Sequence, residues 1–261
     1  MVELDQAGCA AVRQRILAAP PDLEPLVELL WITEWPHCAA AAASWRIVPD
    51  PCAHILVHVS ARRARSVFVG ARSVHTDVDV SNRLLTVGIR LRSGVLRPLA
   101  GARAHELTDR AFPMDAVFGG RGHALTSRVS ATRDPHLIAR HLVDFVRSES
   151  VRSRATPDAR VIAAARLIER RRGLVPADEL ARHTGMAVRT LRSALRDQVG
   201  LGPNRFTRIQ RLYRALELAL TQPAGRLART AAEAGYADQS HLVREFRALL
   251  GETPTEFLAR R

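Results

Sequence analysis

The sequence predicts two domains of different class: an N-terminal α+β domain with a small β-sheet or partial barrel, and a C-terminal all-α domain with two helix-turn-helix units. Three observations predict it. Short runs rich in β-branched residues are confined to residues 45–97, only helical periodicity follows residue 158, and that second part contains an internal repeat. At 261 residues and 47% hydrophobic content, the chain is long enough for two separate cores.

Residues 1–35 read as two helical pieces separated by Pro20-Pro21, with Asp22 capping a helix over 23–31 whose Leu23, Leu26, Val27 and Leu30 keep a 3.6-residue period. Residues 54–59, 66–69 and 83–90 read as strands, separated by Pro49-Asp50-Pro51, Gly70 and Ser93-Gly94. Residues 98–156 return to helix. Asp134-Pro135 starts one whose stripe is Leu137, Ile138, His141, Leu142 and Phe145. The polar stretch 147–154, closed by Thr156-Pro157, suggests the boundary: a sensing or dimerising domain over 1–150, a linker over 151–157 and a helical domain over 158–261. In the last, Asp158 caps a helix to Arg170, and helices follow at 177–183, 187–198, 205–220, 226–234 and 240–250, with a break at Pro223-Ala224-Gly225 and Asp238 capping the last. The first helix-turn-helix unit is then about 177–198, the linking helix about 205–220 and the second unit about 226–250.

Composition narrows the partners. The formal net charge is +13 and all 39 basic residues are arginine. From Pro157 onward there are 19 arginines against 11 acids, a net of +8 over 105 residues, against 20 and 15, a net of +5, in 1–156. Polyanions are the expected partners, with the denser charge in the helical part. No apolar run reaches the roughly 18 residues of a membrane span, the alanine run at 39–43 is far too short, and acidic Glu3 and Asp5 stand where a secretory leader would be basic. A cytoplasmic protein with no membrane partner is expected. Cys9, Cys38 and Cys52 are too few and odd in number for a disulfide framework.

The repeat carries the most information. Leu180-Ala181-x-x-x-Gly185-Met186 recurs as Thr230-Ala231-x-x-x-Gly235-Tyr236 at an offset of 50, and Leu191, Leu195, Gly200 and Pro203 recur as Leu242, Phe246, Gly251 and Pro254 at 51. The small alanine lets two helices approach, the glycine suits the sharp turn, Met186 or Tyr236 plugs the crossing, and the paired apolar residues bury the inner face of the next helix. Its outer face is left for the major groove of double-stranded DNA. That face carries Arg189, Arg192 and Arg196 in the first copy and Gln239, Ser240, His241, Arg244 and Arg247 in the second. Arginine pairs with guanine and glutamine with adenine, while serine and histidine reach phosphates or bases.

The segment Ala231-Ala232-Glu233-Ala234-Gly235-Tyr236-Ala237-Asp238-Gln239-Ser240-His241-Leu242-Val243-Arg244-Glu245-Phe246-Arg247, followed by Gly251-Glu252-Thr253-Pro254-Thr255-Glu256-Phe257, resembles the signature of the AraC family of transcriptional regulators. The resemblance implies two helix-turn-helix units joined by one long helix, with recognition helices in successive major grooves. By position it implies base reading by Arg244, contacts from Gln239, Ser240 and His241 at the helix start, and a base-facing Arg189. The first copy departs from the pattern: Ser193 stands where a longer polar side chain is common, and Leu195 replaces an aromatic. Residues 25–130 resemble an N-terminal domain often fused to such modules, through Val48-Pro49-Asp50-Pro51-Cys52, Val67-Phe68-Val69-Gly70-Ala71, Gly88-Ile89-Arg90-Leu91-Arg92-Ser93-Gly94 and Glu106 to Asp115.

A sequence-specific regulator is therefore the expected function, activator or repressor being open. Its other partners would be a small-molecule effector, a second copy of the chain and, for an activator, RNA polymerase. Trp31, Trp35 and Trp45 are the candidate effector residues. Cys52, His54 and His58 share strand parity, but no compact ligand set accompanies them, so no metal and no cofactor are expected. Pairs such as Asp77/Asp79, or Ser44 with a histidine, form no enzyme signature. Two alternatives stand beside this one: an alkylation-repair protein using Cys38 or Cys52 as acceptor, and a regulator whose N-terminal domain is purely structural.

Overall fold

The computed structural model describes residues 12–35, 44–153, 156–221 and 226–259. Cys9, His37, Cys38, the alanine run at 39–43 and the 223–225 break lie outside the described residues.

The N-terminal part is built on β1 (Arg13–Ala18), β2 (Val27–Glu34), β3 (Ser44–Ile47), β4 (His54–Val59), β5 (Ala64–Val69), β6 (Thr76–Asp79), β7 (Leu85–Leu91) and, after short helices α1 (Leu96–Ala100) and α2 (Ala104–Leu107), β8 (Ala111–Pro113). Six strands form an antiparallel sheet in the order β1-β2-β7-β4-β5-β8, and β3 pairs with β6 as a separate ribbon. The helix expected over 23–31 is instead a 3-10 turn, Pro21–Leu23, followed by β2. Asp22 does not cap it; its carboxylate accepts from Arg147 at 2.7 Å. β2 lies between β1 and β7 and is largely buried on both faces, so its near-continuous apolar run imitates a helical period.

The register sorts the two faces. Leu30, Ile32, Ile55, Val57, Phe68, Val87 and Ile89 point one way, into a core shared with α3 (Met114–Phe118), α4 (Gly120–Ser130) and α5 (Pro135–Arg152). Asp134 caps α5 by accepting from the His136 amide at 2.9 Å. The buried stripe of α5 includes Ile138, Leu142 and Phe145, but Leu137 is exposed and Ala139 is buried instead.

The C-terminal part is helical throughout: α6 (Ala159–Arg170), α7 (Ala177–Thr184), α8 (Val188–Gln198), α9 (Pro203–Thr221), α10 (Leu227–Glu233), α11 (Gln239–Leu250) and α12 (Pro254–Ala259). Asp158 and Asp238 cap α6 and α11 through the amides of Arg160 and His241. The long helix α9 serves two cores at once. Its Phe206 packs with Leu180, Leu191 and Leu195, whereas Ile209, Leu212 and Leu216 pack with Ala231, Leu242 and Phe246.

The two parts share a seam. Tyr213 of α9 donates its hydroxyl to the Pro49 carbonyl at 2.6 Å, the Leu249 carbonyl accepts from the His75 amide at 2.8 Å, and Val48 and Ala71 are buried within the core of the second helical unit. On the other side α1 and α2 lie against α8, where Thr108 donates to the Gly200 carbonyl and His105 lies 3.3 Å from Asp197.

Candidate functional site

The repeat becomes two turns closed in the same way. Gly185 and Gly235 take left-handed φ values of 63° and 79°, a conformation open to glycine at little cost. The same hydrogen bond closes each turn: the Met186 amide donates to Ala181 at 3.1 Å, the Tyr236 amide to Ala231 at 2.9 Å. Leu191, Leu195, Leu242 and Phe246 are fully buried, so the opposite faces of α8 and α11 are turned outward. The offset change from 50 to 51 coincides with Asp238, an extended residue that caps α11, whereas Ala187 before α8 offers no side-chain cap.

Arg189, Arg192 and Arg196 are exposed on α8, as is Ser193; Gln239, Ser240, Arg244 and Arg247 are exposed on α11. None of these five arginines forms an ion pair among the described residues, so their guanidiniums keep their donors for another partner. His241 differs. It is half-buried, its Nδ1 accepts from the Ala237 amide at 3.4 Å, and its ring packs edge-on against Tyr236 with centroids 5.3 Å apart. From α9, Arg208 grips Glu245 at 2.8 and 3.0 Å, and Arg211 lies 5.5 Å over the Tyr236 ring. These contacts fix how α11 is presented.

A second feature lies on the sheet face away from α4 and α5. Strand register puts Trp31, Gly88 and Leu56 in one row and Thr33, Thr86 and His58 in the next. A Cβ on Gly88 would lie 2.3 Å from the Trp31 ring, so this glycine is the space the indole occupies. The ribbon β3–β6 covers this face through Trp45, Ile47 and Val78, enclosing a cavity of about 310 Å³. The three tryptophans line it together, with Trp35 and Trp45 edge-to-face at 5.1 Å and Trp31 against His54 at 5.4 Å.

Charge in the cavity wall is unevenly spent. Arg90 donates to Asp50 at 2.7 and 3.0 Å and also binds Glu28, while His54 Nε2 lies 3.1 Å from Asp50. Burial opposes the Asp50 charge, but Arg90 and His54 outweigh it and hold that carboxyl far below the usual carboxylate range. Arg46 is paired bidentately with Asp77 at 2.7 Å and reaches Glu252 and the Leu250 carbonyl of the second helical unit. Arg72 and Arg83 also line the cavity, yet neither guanidinium has a hydrogen bond or ion pair among the described residues. Burial lowers the pKa of both.

His54 and His58 project from one face of β4 but bind Asp50 and Thr86 respectively, and among the described residues no group of three His, Cys, Asp or Glu side chains could hold a metal ion. Cys52 is 1% exposed, and burial pushes its thiol well above the ordinary value, the reverse of what an alkyl acceptor needs. Among the described residues no helix is long and apolar enough to cross a membrane. The sequence pointed to the tryptophans. It could not point to Arg72, Arg83 or Asp50, whose roles depend on which strands become neighbours.

The sequence matches a family described as a helix-turn-helix domain over residues 180–260, which takes in both turns, and one described as a domain of unknown function (DUF6597) over 15–113. No curated protein matches. Among solved structures, the chain is similar to the DNA-binding domain of the global transcriptional factor AdpA in complex with a target DNA (27% identity, 39% of this chain and 88% of that one, TM-score 0.34). It is also similar to a probable AraC family transcriptional regulator from Rhodopseudomonas palustris CGA009 (25%, 40% and 97%, 0.36) and to ToxT from Vibrio cholerae (10%, 84% and 97%, 0.45). With two turns closed by the same hydrogen bond and the signature from Ala231 to Phe257, residues 180–260 form an AraC-type helix-turn-helix domain, the DNA-binding module of transcriptional regulators.

Proposed function

We propose that this regulator reads its DNA site with α8 and α11 and is controlled by a small molecule held in the tryptophan-lined cavity. One observation carries the control: the segments that wall the cavity also rest on the second helix-turn-helix unit. Arg46 and Val48 line the cavity, and the same stretch meets Leu250, Glu252 and, through Pro49, Tyr213. A ligand that shifts this wall changes the support of α9 and α11, and so favours or opposes the arrangement that binds DNA.

Arg189, Arg192, Arg196, Arg244 and Arg247, exposed and without an ion pair among the described residues, support the DNA face, with Gln239 and Ser240 at the start of α11. His241 holds the turn through Nδ1 and has its other nitrogen left for the duplex. Affinity will fall steeply with salt, since each phosphate contact releases counterions. The test is a binding-site selection from random duplexes with the full chain, followed by affinity for the selected site with and without metabolites that raise its melting temperature. A selected site whose affinity responds to such a compound supports both parts. No site preference refutes DNA reading; stabilising compounds that never change affinity refute the control.

A further inference from the structure

We propose that the cavity takes a small aryl carboxylate, its ring against Trp31, Trp35 and Trp45 and its carboxylate held by Arg83 together with His58. The proposal rests on the effector reading and adds the ligand's chemistry.

The polar groups decide the sign. Of the four charged side chains in the wall, Asp50 is neutralised by Arg90 and His54, and Arg46 by Asp77 and Glu252. What remains is two guanidiniums, Arg72 and Arg83, half-buried or more and without a hydrogen bond or ion pair among the described residues; Asp109 and Asp50 act on Arg72, and Asp79 on Arg83, only across space. A desolvated cation without an acceptor is costly, and a bound anion removes that cost.

The hydrogen-bond inventory points the same way. Thr86 Oγ1 accepts from the Trp35 indole N–H at 2.9 Å, an atom that can only donate. The single Thr86 hydroxyl proton is not used in that bond and can go to His58 Nδ1, 3.1 Å away; in that tautomer the imidazole proton is on Nε2. Burial first, then the charges of Arg83 and Arg65, lowers the His58 pKa to about 3, so the imidazole is neutral at neutral pH and carries one ring proton. His58 Nε2, with no hydrogen bond among the described residues, then offers a donor in the wall that Arg83 also lines, close enough for the Arg83 charge to act on the imidazole. Two donors at one end of an aromatic cavity suit a planar, two-oxygen acceptor, which guanidinium binds bidentately. Arg72 sits towards the Asp50 end, with donors for a second oxygen on the ring. Three indoles favour a flat apolar body over a flexible chain, and the volume lies at the small end of ligand pockets.

The experiment is calorimetric titration of the full-length protein with benzoate, phenylacetate and 1-naphthoate, each against its primary amide, with benzylammonium and octanoate alongside. The expected result is at least one aryl acid binding about tenfold or more tightly than its amide, the difference a charge-assisted pair supplies, with no binding of benzylammonium. Arg83→Gln should remove most of that acid-over-amide preference while Arg83→Lys keeps part of it, and a thermal melt of each variant establishes that it is folded. Amides binding as well as acids, benzylammonium binding, octanoate matching the best aryl acid, an unchanged preference in folded Arg83→Gln, or no acid binding at all would each overturn the assignment. Neutral compounds that bind and shift DNA affinity would overturn the carboxylate while leaving effector control standing.

Discussion

Replacing Gly88 by alanine probes the floor of the cavity with a single methyl group. The added Cβ would lie 2.3, 2.5 and 2.6 Å from three atoms of the Trp31 six-membered ring, well inside contact distance. β7 is the fully buried strand between β2 and β4, so the backbone has little freedom to retreat, and the indole must turn instead. Overpacking of this kind costs about 1–3 kcal/mol. Losing the edge contact between Trp31 and His54 adds roughly 0.5–1.5 kcal/mol. For a domain of this size the melting temperature should fall by about 3–18 °C. Tryptophan emission should shift to the red as Trp31, now 8% exposed, is pushed towards the cavity. Gly120→Ala is the control, since a Cβ there meets nothing within 4 Å. A Gly88→Ala protein with unchanged melting temperature and emission would refute the account of this glycine as space for the ring.

Arg244→Ala should relax sequence preference more than Arg192→Ala, by about 1–3 kcal/mol of discrimination between cognate and scrambled duplexes, because α11 is capped by Asp238 and gripped by Arg208 while α8 has no side-chain cap; equal losses in a titration of both duplexes would show the asymmetry to be wrong. Tyr213→Phe leaves the Pro49 carbonyl without its 2.6 Å donor and should cost about 1–3 kcal/mol in denaturant unfolding. His58, with its pKa lowered from 6.5 to about 3, binds its proton in the unfolded chain before the folded one. Its contribution is therefore whole above pH 6.5 and is lost as pH falls towards 3, by at most about 1.4 kcal/mol per pH unit. His58→Gln should flatten the fall in stability between pH 6 and pH 4, and an unaltered slope would remove His58 as a cause.

How much was legible depended on whether the signal was local. Asp134, Asp158 and Asp238 each cap the helix that follows, because a carboxylate beside free amides needs no distant partner. β4, β5 and β7 were visible as β-branched runs between turn residues. β2 was not, since a strand buried on both faces loses its alternation, nor was β1, an edge strand with little buried surface, and β3 and β6 are four residues each. Leu137 was placed in the α5 core by a stripe drawn one residue too wide, an error that only packing against the sheet corrects.

The sequence by itself determined the duplicated turn: its glycines, its small alanines and the apolar pairs beneath each recognition helix act within about twenty residues of one another, so spacing is enough to read them. Tertiary structure alone decided which arginines are spent and which are free. Arg90, Arg46, Arg72 and Arg83 are alike in the sequence, and only the strand order brings Asp50 against the first and Asp77 against the second, leaving the last two without a hydrogen bond or ion pair among the described residues. It also decided that the cavity wall is a support of the second helix-turn-helix unit, because Pro49 and Tyr213 meet across 164 residues of chain. Pairings at that separation depend on how whole elements pack, which local periodicity does not encode.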